Sequence, residues 1–249
     1  MRALPAVLVL VALSPLGAQA PDALLSETRL TVHSLVREDI FAGFMDNNLA
    51  RVSQAEANIE KLLQGRPDQR ANLLAWRSAA ATYRAVAANE AGRADEFRRY
   101  FTAAQAGFAE AVKLSMPHGP GNDGVHAIRG GTNALYADRL PAEHRAAAWT
   151  QAWESYSFLW KGQAAGIADM PVHLKGELLA GLAQSAQRTG RTAETTEFLD
   201  RMLEHLPNTP YEPMAKKWKA DPTAAASTNL TCKNCHNPGR LAARVKALQ

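Results

Sequence analysis

Only two cysteines occur in this 249-residue chain, Cys232 and Cys235. With no second pair, a four-ligand structural zinc site lacks its thiolates. β-Branched residues are sparse and no segment reads as a strand, so the strand-turn-helix context of a thioredoxin-type Cys-x-x-Cys is missing too. Apart from a short N-terminal run, no stretch approaches the ~20 apolar residues that a membrane-spanning helix needs. No Lys/Arg stripe of the kind that nucleic acid requires is present, and the formal charge is only +4. Neither paired carboxylates, nor a Ser-His-Asp arrangement, nor a His pair at helical spacing suggests hydrolytic chemistry. The glycines between Met116 and His126 follow no strand and precede no Gly-Lys-Ser/Thr, so a phosphate cradle is not supported; a connection capped by Asp123 is expected there.

What is present begins with a leader. Met1-Arg2 supplies a positive charge, Ala3 to Leu13 is apolar except for Pro5, and Ala18-Gln19-Ala20 is a small-x-small cleavage site. Residues 1–20 are therefore expected to be a cleaved signal peptide. At the other end stands Cys232-Lys233-Asn234-Cys235-His236, the Cys-x-x-Cys-His pattern of covalent haem attachment. The spacing lets both thiols reach the two vinyl groups of one porphyrin as thioethers, while the adjacent imidazole approaches the iron from one side. Such haem is attached after export, so leader and motif agree on the periplasm of a Gram-negative bacterium. One covalent haem c is expected on Cys232 and Cys235, with His236 as proximal ligand.

Between the ends, apolar residues recur at three- and four-residue steps, with breaks at Gly or Pro. Helices are expected over 25–44, 47–64, 68–90, 94–115, 124–138, 142–168, 173–188, 192–205 and 211–219, an all-α chain of paired antiparallel helices. Asn48, Asp68 and Asp123 offer side-chain oxygens to following helices, and Gly92 and Gly190 suit left-handed C-terminal positions.

The pairs look like repeats. Aligned on Pro207, the chain has Leu179, Leu182, Ala183, Ala186, Gly190 and Leu199 near the large, small and turn positions of a tetratricopeptide unit; Gly43, Ala55, Ile59 and Leu62 stand similarly before Pro67. Residues 25–220 thus resemble tetratricopeptide-repeat proteins, and the chain is similar to exported bacterial members. Pro67 and Pro117 lie 50 residues apart, so helices there are longer than in a 34-residue unit. The resemblance implies a superhelical repeat domain over 21–219 with a face that binds another protein, and it implies no reaction.

Trp149, Trp153, Tyr156 and Trp160 fall at i, i+4, i+7 and i+11, one helical face, where core packing is the expectation and a porphyrin-stacking face the alternative. Arg129 and Arg145 are expected to be solvated or paired with carboxylates rather than set against haem propionates. Residues 220–249 read as a flexible linker and a short haem-binding tail. No Met, His or Cys follows His236, so a sixth iron ligand must come from upstream, from another molecule or from water. Met214 and His205 are nearest in sequence; Met202, His173, His144, His126, His118, Met116 and His33 also qualify. The expected function is electron transfer by the tethered haem while the repeats dock a periplasmic protein, such as a redox protein. A haem-free adaptor, and a haem-based sensor or small peroxidase-like enzyme, are the alternatives.

Overall fold

The computed structural model describes residues 36, 39–40, 43, 48–115, 124–221, 228 and 230, all within the compact unit Val32–Gln249. The expected signal peptide (residues 1–20), the 116–123 connection with Asp123, and Cys232, Cys235 and His236 lie outside the described residues. Eight α-helices are described in full: α1 Leu49–Gly65, α2 Arg70–Glu90, α3 Ala94–Ser115, α4 Gly124–Tyr136, α5 Ala142–Gln163, α6 Val172–Arg188, α7 Thr192–His205 and α8 Glu212–Ala220. Ahead of them Val36, Asp39, Ile40 and Gly43 are helical, and Asp39 pairs with Arg51 of α1 at 3.0 Å. Among the described residues there is no strand, and the chain is all-α, as its three- and four-residue periodicity requires.

Local chemistry sets the boundaries. Asn48 starts α1 by accepting hydrogen bonds from the amides of Ala50 (3.1 Å) and Arg51 (3.3 Å) through Oδ1. Gly92 and Gly190, at φ +70° and +73°, end α2 and α6. After each glycine an arginine amide reaches back five residues, Arg93 to the Ala88 carbonyl and Arg191 to that of Ala186, both at 2.9 Å. This is the Schellman closure, which needs a left-handed residue at the glycine. Pro141 and Pro171 make the other breaks: the residue before each, Leu140 or Met170, is driven to extended backbone, so the chain leaves α5 and α6 room to start afresh.

Two sequence expectations shift. The helix expected over 142–168 stops at Gln163 and tightens into a 3₁₀ segment, Ala164–Asp169, because Met170 must be extended ahead of Pro171. Asp68 does not cap α2. It sits inside the 3₁₀ turn Pro67–Gln69, where its carboxylate accepts from Arg66 and Gln69 and is held down to about 2, chiefly by the Arg66 bond.

The helices pack in antiparallel pairs. Arg70 at the start of α2 meets Glu110 near the end of α3 at 3.0 Å, and Arg129 of α4 meets Glu154 of α5 at 3.2 Å. The third pair, α6 with α7, turns at Gly190; α4 packs on α2, α6 on α4 and α5, and α8 on α7. Small residues permit close approach: a Cβ on Gly107 of α3 would collide with Ser78 of α2, and one on Gly181 of α6 with the Tyr156 ring of α5. The positions matched to repeat units, Ala55, Ile59, Leu62, Leu179, Leu182, Ala183, Ala186 and Leu199, are all buried. Among the described residues no helix is long and apolar enough to cross a membrane.

Candidate functional site

α6 is buried over most of its length, from Lys175 through Ala186 with few breaks, and it carries one amide side chain into that interior: Gln184, fully buried. One turn later on the same face stands Arg188, its side chain 11% exposed. From α8, Trp218 is buried beside them. These three side chains hold the chain just ahead of Cys232. The Trp218 indole Nε1 donates to Thr228 Oγ1 at 2.7 Å, Arg188 Nη2 donates to the Thr228 carbonyl at 3.2 Å, and the Leu230 amide donates to Gln184 Oε1 at 2.8 Å. The Leu230 side chain is 1% exposed and belongs to the core. The segment expected as a linker therefore reaches its last residues tied to the body at Thr228 and Leu230.

Arg188 is itself oriented from behind. Asp138, in the 3₁₀ turn Ala137–Arg139 after α4, accepts from Arg188 Nε at 3.3 Å and Nη2 at 3.2 Å through Oδ2, and from Trp149 Nε1 at 2.8 Å through Oδ1. The guanidinium lies over the Trp149 ring at 5.5 Å. A planar fork suits this arrangement, one edge on a carboxylate, one on a carbonyl and the face on an aromatic. Gln184 is less complete. Because the Leu230 amide fixes its oxygen, its Nε2 lies buried with no hydrogen-bond partner. Two donors sealed in this way cost about 1–3 kcal/mol if nothing accepts from them.

The upstream ligand candidates separate by position. Met214 lies one turn before Trp218 on α8, on the same face, half-buried against the core. His205 is the last residue of α7, and its Nε2 is 3.8 Å from Glu204. Met202 is fully buried, and the His144 ring lies 4.5 Å from that of Phe101, tilted by 36°. His126 is 94% buried, its ring 3.9 Å from that of Phe158, and neither nitrogen has a partner. Burial first, and the Arg129 charge second, push its pKa down to about 4, so it is neutral at ordinary pH. His33, Met116 and His118 lie outside the described residues. No group of three or more His, Cys, Asp or Glu able to hold a metal occurs among the described residues.

The α5 aromatics serve the core. Trp149 and Tyr156 are 2% exposed, while Trp153 and Trp160 meet Phe198 of α7 edge-on at 6.3 and 5.4 Å. Arg129 pairs with Glu154 and Ser155, and Arg145 donates to the Leu140 carbonyl at 2.7 Å. The sequence reading passed over Gln184, Arg188, Thr228 and Leu230. Two signals stood in view: Leu230 is the one large apolar residue between Trp218 and the motif, and Gln184 interrupts a run of small and apolar residues on α6.

The described residues form an all-α array of packed helix pairs with Thr228 and Leu230 held by side chains of α6 and α8. No family model, no curated protein and no solved structure matches the chain.

Proposed function

We propose that this is a periplasmic c-type haem protein, with a body that resembles tetratricopeptide repeats and docks a protein partner while the haem on its tail transfers electrons. The observation that carries the reading is Cys232-Lys233-Asn234-Cys235-His236 placed two residues beyond a buried anchor, Leu230, in a chain that has no other cysteine and whose first twenty residues have the pattern expected of an export leader.

The residues near the tail suit such a group. Cys232 and Cys235 would hold it as thioethers and His236 would ligate its iron. Bound there, the haem iron supplies a one-electron couple whose potential depends on axial ligand, burial and nearby hydrogen bonds. The chain's own residues do the rest. Gln184, Arg188 and Trp218 hold the approach to the motif, Leu230 excludes water from that contact, and the unpartnered Gln184 amide offers donors where a tail-borne acceptor would arrive. Met214, facing the same side of α8 as Trp218, is the first candidate for the sixth ligand, with His205 second. The electron goes to, or comes from, a redox protein held by the helical body.

The test is expression of the full chain, leader included, in cells competent for cytochrome c maturation. The mature protein is expected to gain the mass of one haem and to show a pyridine haemochrome spectrum; replacing Cys232 and Cys235 by Ala should abolish both. A mature mass equal to the bare polypeptide overturns the reading and leaves a haem-free adaptor. A water-ligated ferrous spectrum that shifts with carbon monoxide would favour the sensor or peroxidase-like alternative.

A further inference from the structure

Gln184, Arg188 and Trp218 bind the tail in a particular way. Two of their three hydrogen bonds go to main-chain groups, the Thr228 carbonyl and the Leu230 amide, and the third goes to a hydroxyl. They reach alternate residues of the tail, and the Leu230 side chain fills the core beneath them. Committing a fully buried glutamine and a nine-tenths-buried arginine to two backbone groups fixes position and register, and it does so immediately ahead of Cys232. The glutamine is also half-used: Nε2 has no acceptor although it is sealed from water. Such a group implies an oxygen that belongs beside it, at a cost of about 1–3 kcal/mol while it is missing.

We infer that Gln184, Arg188 and Trp218 are positioning residues that clamp the haem-bearing tail onto α6 and α8 in cis, and that the spare Gln184 amide protons receive an oxygen acceptor carried by that tail. The inference rests on the haem reading above. Two sources present this chemistry, a backbone carbonyl of the tail or a haem propionate. A clamped haem keeps one orientation and one exposure to solvent, and both help to set its potential. An unclamped one would swing on about a dozen residues after α8.

The experiment uses the full mature chain, haem-loaded and, as Cys232→Ala/Cys235→Ala, haem-free. Native-state amide exchange at Leu230 is read in both, with haem content, the Soret circular dichroism and the reduction potential read in the loaded form. Leu230 is expected to exchange on the order of a hundredfold more slowly than in a peptide of residues 222–240. Trp218→Phe keeps the ring in the core and removes its donor; Thr228→Val removes the acceptor at equal volume. Each should raise Leu230 exchange about tenfold, leave haem content and helicity unchanged, weaken the Soret dichroism and lower the potential.

Gln184→Glu keeps the oxygen for Leu230 and removes the spare donors. If the acceptor is a tail carbonyl, it loosens Leu230 equally in both forms. If it is a propionate, the effect is confined to the loaded form and the potential falls further, from like charge. Leu230 exchange at the peptide rate in the wild type, or variants that leave dichroism and potential unaltered, overturns the inference. A chain that carries no haem overturns the parent reading instead, and Leu230 exchange in that chain then upholds or overturns the clamp by itself.

Discussion

His126 carries two ring nitrogens into the contact between α4 and α5, and neither finds a partner. Phe158 covers its face, so the imidazole behaves as an aromatic core residue that happens to titrate. The folded protein leaves it neutral down to pH about 4, whereas the unfolded chain takes up the proton near 6.5. Between those values the unfolded state binds more protons. Stability should therefore be full above pH 6.5, fall as the pH drops toward 4, and level off below that. The displacement corresponds to up to about 3 kcal/mol. His126→Phe preserves the stack and has nothing to protonate. Urea unfolding at pH 5 and pH 8 should show the variant more stable than the wild type at pH 5 and free of most of the slope; an unchanged slope would refute this account. No spacing rule could have exposed the feature, because periodicity places His126 on an inward face without telling what stands opposite each nitrogen.

From Leu49 onward, the described helices were almost wholly legible. Asn48, Gly92, Gly190, Pro141 and Pro171 act within a few residues of where they stand, so boundaries at these points follow from sequence. The 3₁₀ tightening after Gln163 was not, since it depends on where Met170 must point and not on any signal inside 164–169. Gly190 and Gly181 show two different demands at the scale of an element. At Gly190 a Cβ would meet nothing, and the demand is the backbone alone, φ +73°. Gly190→Ala should cost about 1 kcal/mol, through the left-handed residue only. At Gly181 a Cβ would strike the buried Tyr156 ring, wedged between α4 and α6. Gly181→Ala should cost about 1–3 kcal/mol by overpacking in the wild type and less in a Tyr156→Leu background, because the ring is what it strikes. Thermal unfolding of Gly190→Ala, Gly181→Ala, Tyr156→Leu and the double variant decides; a Gly181 effect indifferent to Tyr156 would refute the contact.

Across the whole molecule, coupling runs through residues that no local pattern could pair. Leu230 meets Gln184 across 46 positions, and Arg188 meets Asp138 across 50. The motif at Cys232 was therefore readable while its anchorage was not. Arg188 joins three regions at once: the turn after α4 through Asp138, α5 through Trp149, and the tail through Thr228. Arg201 makes a superficially similar arrangement, 5.0 Å over Trp160 and paired with Glu197 one turn away, but its own side chain is 36% exposed and the ion pair stays within one turn of α7. Desolvation separates the two. Removing Arg188, only 11% exposed, takes a donor from Asp138 and from the Thr228 carbonyl and takes the cation off the buried Trp149 ring, a loss of about 1–2 kcal/mol. Removing Arg201 gives up an exposed i, i+4 pair and part of a cation–π contact, no more than about 1 kcal/mol. Arg188→Ala should thus lower the urea midpoint clearly and release Leu230 to exchange, whereas Arg201→Ala should leave Leu230 protected. Arg188→Lys separates charge from geometry: an ammonium can meet Asp138 but cannot also lie on Trp149 and reach Thr228, so it should restore less than half of the loss. Full restoration by lysine would mean that the site needs only a positive charge, and that Arg188 does not join tail to body.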